Sequence, residues 1–121
     1  EAKVVRFSHR ERVRAEGLSR QLGERLIAAF RSSGLAVHPF KPVRETIIRN
    51  RRAWVPAVLR YNEVPARILL EVCNLSNVED RQLLRTQEFR QRVAAAVVAA
   101  LLDYYDEADS ATLSPPARTA R

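Results

Sequence analysis

Hydrophobic residues recur every three or four positions in two long stretches of the chain, and this spacing predicts two amphipathic helices. The first helix is predicted over residues 11–33, and its apolar positions are Leu18, Leu22, Leu26, Ala29 and Phe30. The second is predicted from Gln87 to about Tyr105, with an apolar stripe made of Phe89, Val93, Val97, Ala100, Leu101 and Tyr104. Asn77 and Thr86 are residue types that cap helices, so we expect a short helix after the first and the long helix after the second.

Short runs of apolar residues outside these helices predict β-strands. Residues 4–7 and 35–38 form two of them, and residues 66–72 form the most apolar one, typical of a strand buried on both faces. The basic stretch 41–52 is predicted to be an exposed loop. The alternation predicts an α/β fold, with a few-stranded mixed or parallel sheet flanked by amphipathic helices, the first of them lying on the sheet. Because these elements barely fill the layers of such a fold, we expect them to be part of a larger domain.

Composition and length indicate one globular unit. The 121 residues are 46% hydrophobic and 29% charged, close to the average for soluble domains. The longest wholly apolar run, residues 93–102, is about half as long as a bilayer span, so no membrane span is expected. Residues 108–121 are small, polar and proline-containing, which predicts a disordered tail. The chain begins at Glu1 with no secretory leader, so we expect a fragment or a processed product.

The chain is strongly basic, with 21 Lys and Arg against 14 Asp and Glu, a net charge of +7 and an isoelectric point near 10.7. All the basic residues except Lys3 and Lys41 are arginines. Such a charge attracts polyanions, among them nucleic acids, anionic lipids and acidic cell-wall polymers. A generally arginine-rich surface explains the same excess, since the arginines are scattered among acidic residues. No nucleic-acid-binding module is recognisable, so a nucleic-acid partner is not expected.

Glu71 is the strongest candidate for chemistry, because it stands near the end of the most apolar predicted strand, just before a polar turn. In open α/β sheets, functional groups cluster at the C-terminal ends of the strands. A carboxylate among apolar neighbours needs a cation or hydrogen-bond donors to offset its desolvation. The other interpretation is a glutamate on the solvent side of an edge strand, paired with Arg67 or Arg60. The local pattern leaves both interpretations open.

The residues around Glu71 follow a recognisable order: V-L-R at 58–60, V-P-A-R-I-L-L-E-V at 64–72, L-S-N at 75–77, then an acidic pair and a Leu-Leu pair at 83–84. This order resembles the C-terminal part of the zinc-dependent N-acetylmuramoyl-L-alanine amidases, a family that cleaves peptidoglycan. There V-L-R is followed by P-A-x-L-V-E-x-G-F-x-S-N, by P-x-E-x-x-L-L and by a final helix. The resemblance spans residues 18–106 and is specific between 58 and 84. It implies that residues 1–107 are the C-terminal portion of an amidase-like α/β domain.

The resemblance implies a role for Glu71. In that family the glutamate of the V-E motif is the catalytic carboxylate beside the zinc ion, and it maps onto Glu71. It would accept a proton from zinc-bound water and return it to the leaving amine. The bond cut would join N-acetylmuramic acid to the first L-alanine of the stem peptide, so the resemblance implies an extracytoplasmic hydrolase in the periplasm or cell wall. The alternative is a non-catalytic amidase-like module that binds or regulates cell-wall components.

The chain departs from the family in its metal ligands. The family uses two histidines and a glutamate that lie in its N-terminal half and middle, and a catalytic zinc needs three such ligands. This chain offers only His9 and His38. His9 follows a strand-like run, as one zinc histidine of the family does, but in a different register, so a surface or turn position is favoured; His38 is expected to end a strand. We therefore expect most zinc ligands in an upstream segment, or in an N-terminal half present as a companion chain.

The remaining candidates are side chains near this motif. Where the family has Gly-Phe, the chain has Cys73-Asn74, which is expected to reshape the turn. Cys73 has no histidine base at a suitable spacing and is expected to be a small buried side chain. Trp54 and Tyr61 are expected in the core rather than stacked on a sugar. Arg60 is the candidate for binding the anionic stem peptide, with an ordinary exposed arginine as the other interpretation.

Overall fold

A computed structural model describes residues 5–113 of the chain, except the side chains of residues 108 and 110–113. The described residues form four helices and one small sheet, which is consistent with a partial α/β domain. The helices are α1 His9–Ser32, α2 Ala57–Arg60, α3 Val78–Arg85 and α4 Gln87–Leu113. The strands are β1 Ile47–Arg49 and β2 Arg52–Trp54. Within this part of the chain, no helix combines the length and the apolar character needed to cross a membrane.

The core lies between α1 and α4, the two long helices that the hydrophobic spacing predicts. Its buried side chains are Leu22, Leu26, Phe30, Leu35, Ala96, Ala100 and Tyr104. At the edge of the interface, Arg25 of α1 pairs with Asp103 of α4 at 2.8 Å and also with Glu107. The predicted apolar faces are therefore largely confirmed, but the prediction that α1 lies on a sheet is wrong, because its apolar face is covered by a helix.

Capping motifs set both ends of α1. At its start the Ser8 hydroxyl accepts the Glu11 N–H at 3.2 Å, while the Glu11 carboxylate accepts the Ser8 N–H at 2.7 Å, which is a capping box. At its end Gly34 has a φ of 68°, and the Leu35 N–H reaches the Phe30 carbonyl at 2.9 Å in a Schellman motif. The predicted stop is confirmed, whereas the start lies before the predicted residue 11 because Ser8 caps the helix.

The sheet is a two-stranded antiparallel hairpin, so the predicted mixed or parallel sheet is wrong for the described residues. The hairpin arises within the stretch 41–52 and the residues just after it, where the charge pattern predicts a loop. Residues 35–38 and 66–72 are irregular, as are residues 5–7, and residue 4 lies outside the described residues. An apolar run becomes a strand only when another strand pairs with its backbone. None of these runs has such a partner in the part of the chain described.

Asn77 caps α3 as its residue type predicts. Its side-chain oxygen accepts the Asp80 N–H at 3.0 Å, and the helix begins at the next residue. Thr86 precedes α4 as predicted, but its hydroxyl donates to the Leu83 carbonyl at 2.8 Å. The threonine side chain therefore closes the end of α3 instead of capping the start of α4.

The last helix is longer than the sequence predicts. α4 ends at Leu113, whereas the apolar stripe predicts an end at about Tyr105. The disordered tail predicted from residue 108 is therefore wrong for residues 108–113, which continue the helix. Glu107, which lies beyond the end of the apolar stripe, forms an ion pair with Arg25 of α1. Residues 114–121 lie outside the described residues, and the assignment of residues 1–107 to an amidase-like domain stays a prediction.

Truncation of one core residue tests the α1–α4 interface. Leu26 is 3% exposed, so Leu26→Ala should lower the free energy of unfolding by about 2–5 kcal/mol through lost burial and a cavity. Val13 lies on the same helix and is 54% exposed, so Val13→Ala should change it by about 0.5 kcal/mol. Urea unfolding followed by far-UV circular dichroism measures both. Equal losses in the two variants would contradict the core described here.

Candidate active-site segment around Glu71

The segment that carries the candidate carboxylate is extended and is anchored on both sides. Near its start, the Arg67 N–H donates to the Ser19 hydroxyl of α1 at 3.0 Å, and Ile68 packs against the core. Just after it, the Asn74 N–H donates to the carboxylate of Asp80 in α3 at 2.7 Å. These contacts give the segment a defined course although no strand among the described residues pairs with it.

Glu71 itself is exposed, and its carboxylate makes no hydrogen bond or ion pair with the described residues. Its apolar neighbours Leu69, Leu70 and Val72 are exposed as well. The prediction of a strand buried on both faces is therefore wrong here, and the carboxylate is not desolvated by its neighbours. Its catalytic role is not tested by this geometry and stays a prediction.

The two arginines considered as partners of Glu71 brace their own backbone instead. The Arg60 guanidinium donates to the Val55 carbonyl at 2.8 Å and lies 5.8 Å from the ring centroid of Tyr61. The Arg67 guanidinium donates to carbonyls of the preceding turn, one of them at 3.2 Å. The alternative in which Glu71 pairs with either arginine is therefore not realised. Binding of the stem peptide by Arg60 stays a prediction.

The turn that follows Glu71 is held by side chains that bond to backbone. The Asn74 side-chain oxygen accepts the Ser76 N–H at 2.9 Å, which is an Asx-turn. The Arg81 guanidinium donates to the Leu75 carbonyl at 2.7 Å. Asn74 stands where the amidase pattern has Phe. Its side chain organises this turn and fixes the backbone three residues after Glu71.

Cys73 is half-buried between Glu71 and this turn. Burial raises the pKa of the Cys73 thiol, and the negative charge of Asp80 raises it further. A cysteine nucleophile needs the opposite shift, toward a thiolate at neutral pH. The raised pKa argues against a nucleophilic Cys73, but the side chain is half-buried and not buried as predicted.

The described residues do not form a zinc site. No group of three or more His, Cys, Asp or Glu side chains in this part of the chain is arranged to hold a metal ion. His9 is exposed and is the first residue of α1. The residue before it, Ser8, is the N-cap of that helix. The ring of His38 is exposed, and its Nδ1 lies 2.6 Å from the Phe40 carbonyl. Zinc as a cofactor is not tested by these residues.

The hairpin is the feature that sequence reasoning missed. A usable signal was present, because Asn50 is a turn residue between the apolar pairs Ile47-Ile48 and Ala53-Trp54. Trp54 is half-buried, as the core interpretation partly predicts. Tyr61 is 58% exposed, so the prediction that it belongs to the core is wrong.

Two clefts formed by described residues lie away from the candidate carboxylate. The larger cleft, about 330 Å³, is formed by the polar side of α1 with Pro42 and Val43. A second one, about 250 Å³, lies between α1 and α4. Glu71 lines neither cleft.

The environment of Cys73 makes a prediction about its reactivity. Its raised pKa leaves less thiolate at pH 8 than an unperturbed cysteine has, so iodoacetamide should alkylate it more slowly in the folded chain. The control is the same reaction in 6 M guanidinium chloride, where burial and the Asp80 charge no longer act. Mass spectrometry over time measures both rates. A faster reaction in the folded chain would contradict a purely structural Cys73.

Comparison with known proteins adds a partial match to amidases. The chain is 41% identical over 58 residues to the N-acetylmuramoyl-L-alanine amidase AmiC of Escherichia coli O6:H1, an alignment that covers 48% of this chain and 13% of that protein. It is 34% identical over 65 residues to the N-acetylmuramoyl-L-alanine amidase AmiA of Escherichia coli K12, covering 54% of this chain and 22% of that protein. The matches thus span less than a quarter of the length of either relative. No family model and no solved structure matches the chain.

Proposed function

We propose that this chain is part of a peptidoglycan amidase that hydrolyses the amide bond between N-acetylmuramic acid and the L-alanine of the stem peptide. The similarity to two curated N-acetylmuramoyl-L-alanine amidases carries this proposal. It agrees with the resemblance over residues 64–72, in which Glu71 stands at the glutamate of the family's V-E motif. Because the substrate lies outside the cytoplasmic membrane, the proposal includes an extracytoplasmic location.

Glu71 is the proposed proton-transfer group. Its carboxylate is exposed and has no partner among the described residues, so it is available to a substrate. The anchored turn at Asn74 fixes the backbone beside it. A carboxylate held in this way can take a proton from the attacking water and give it to the leaving amine.

Zinc belongs to the proposal only with ligands from elsewhere. His9 and His38 are the only histidines of the chain, and no described group of side chains fits a metal ion. The ligands would come from residues outside those described, including the N-terminal half of the same protein as a companion chain. The same observation favours a second candidate function, an amidase-like module that binds or regulates the cell wall without catalysis.

Replacing the proposed base tests the hydrolase. In the full-length protein, Glu71→Gln keeps the shape of the side chain but removes its capacity to accept a proton, so release of stem peptides from peptidoglycan should fall by about 10²–10⁴-fold. The matched control is Glu24→Gln, the same chemical change at an exposed position of α1, which should leave the rate unchanged. Chromatography of the released peptides measures both, and a normal rate for Glu71→Gln would remove Glu71 from the mechanism.

Removal of metal separates the two candidate functions. If the full-length protein is a zinc hydrolase, dialysis against a chelator should abolish hydrolysis and added Zn²⁺ should restore it, while atomic absorption shows about one zinc per active chain. A wall-binding module should keep its affinity for peptidoglycan through the same treatment. Hydrolysis that survives complete metal removal would refute the zinc part of the proposal.

A further inference from the structure

The hairpin of β1 and β2 brings two arginines together on one face. Arg49 and Arg52 are direct cross-strand partners, and Ile47 is the partner of Trp54. Residues opposite each other in a ladder, and residues two apart along a strand, lie on the same side of the sheet. Arg49, Arg52 and Trp54 therefore share one face, which we call the hairpin face, while Ile48 lies on the other.

This pairing is unfavourable for the isolated hairpin. Like charges directly opposite each other destabilise an antiparallel pair, and residues 47–54 include no acidic side chain to compensate. Both arginines are exposed. A negatively charged group held between the two guanidinium groups would remove the repulsion.

The turn of the hairpin adds a second unfavourable choice. Asn50 and Arg51 have φ angles of 51° and 59°, the positive values that a two-residue type I′ turn requires. Glycine is the usual second residue of such a turn, because a side chain in the left-handed region costs about 1–2 kcal/mol. Here an arginine occupies it and places a third positive charge at the tip. Local strain kept at an exposed position is typical of a functional surface.

Trp54 restrains one of the arginines of the hairpin face. The Arg49 guanidinium lies 5.3 Å from the centroid of the Trp54 ring, a cation–π contact that restrains the arginine. A restrained guanidinium loses less entropy on binding, and its planar fork matches the two oxygens of a carboxylate. Two such forks across a two-residue turn suit compact anions such as single carboxylates.

We propose that the hairpin face binds the carboxylate groups of peptidoglycan stem peptides and holds the polymer on the enzyme. The proposal rests on the proposed function for the choice of polymer, and on the hairpin geometry for the site. Arg49 and Arg52 clamp a carboxylate, and Arg51 at the tip strengthens the attraction. Because the site is exposed, binding weakens as salt is added.

The test measures binding without hydrolysis. Full-length protein carrying Glu71→Gln is mixed with purified insoluble peptidoglycan, and the bound fraction is measured against polymer concentration. Arg49→Gln with Arg52→Gln should weaken binding by about tenfold or more, as expected for the loss of charge-assisted hydrogen bonds. Arg10→Gln with Arg14→Gln removes the same charge from the exposed surface of α1 and should weaken it by less than about threefold.

Two further measurements identify the chemistry. In the first, the carboxyl groups of peptidoglycan are converted to methylamides. The protein with the wild-type hairpin should bind this polymer as weakly as the glutamine variant binds untreated polymer. Arg49→Lys with Arg52→Lys keeps the charge without the fork, and should bind between wild type and the glutamine variant. The glutamine variant removes a like-charge pair together with the Arg49–Trp54 contact, and circular dichroism checks that it is folded.

Three results would overturn the proposal. They are an equal loss of binding in the hairpin and α1 variants, full binding of the amidated polymer, and hairpin-dependent binding that is tighter to duplex DNA or to anionic lipid vesicles than to peptidoglycan. If only the proposed hydrolase activity is wrong, the result differs from these three. The protein would then bind peptidoglycan through the hairpin face but release no stem peptides.

Discussion

The packing of α1 against α4 is the interaction on which the rest of the described structure depends. It buries large apolar side chains of α1 against two alanines and Tyr104 of α4, and the other side of α1 then serves as a support. Ser19 holds the extended segment at Arg67, and Arg20 pairs with Glu45. Gly23 lets the loop before the hairpin come close, since a Cβ there would lie 3.2 Å from Val43. One helix therefore positions both the Glu71 segment and the base of the hairpin.

The parts of the fold that could be predicted from sequence are those decided by local interactions. The spacing of Leu22, Leu26 and Phe30, and the cap at Asn77, act within a few residues, and the corresponding helices are present. Strands depend on a partner that is distant in sequence or in another segment. The run 66–72 has the composition of a buried strand, yet composition alone does not provide a second strand that bonds to its backbone. The hairpin forms where Asn50 allows two neighbouring short strands to pair without a distant partner.

The candidate site shows the same division between local and distant information. A motif resemblance selects Glu71, and local bonds at Asn74 and Asp80 explain how the adjacent turn is fixed. Neither could reveal whether the carboxylate is covered, because that depends on what packs against residues 69–72. The exposure of this apolar run agrees with the expectation of a larger domain. The metal ligands are beyond prediction for the same reason, since neither His9 nor His38 belongs to a group of possible metal ligands among the described residues.

The stability of the helix pair also explains how the chain tolerates an unfavourable hairpin. Arg49 opposite Arg52, and Arg51 at a left-handed turn position, are each unfavourable, and the Arg49–Trp54 contact offsets part of the cost at Arg49. The hairpin contributes none of the buried core residues, so its cost does not compete with the α1–α4 packing. Selection for stability alone would place glycine at residue 51 and an acidic residue opposite Arg49. A negatively charged partner from outside the hairpin, as proposed above, accounts for the arginines found there, because such a partner turns these local costs into binding energy.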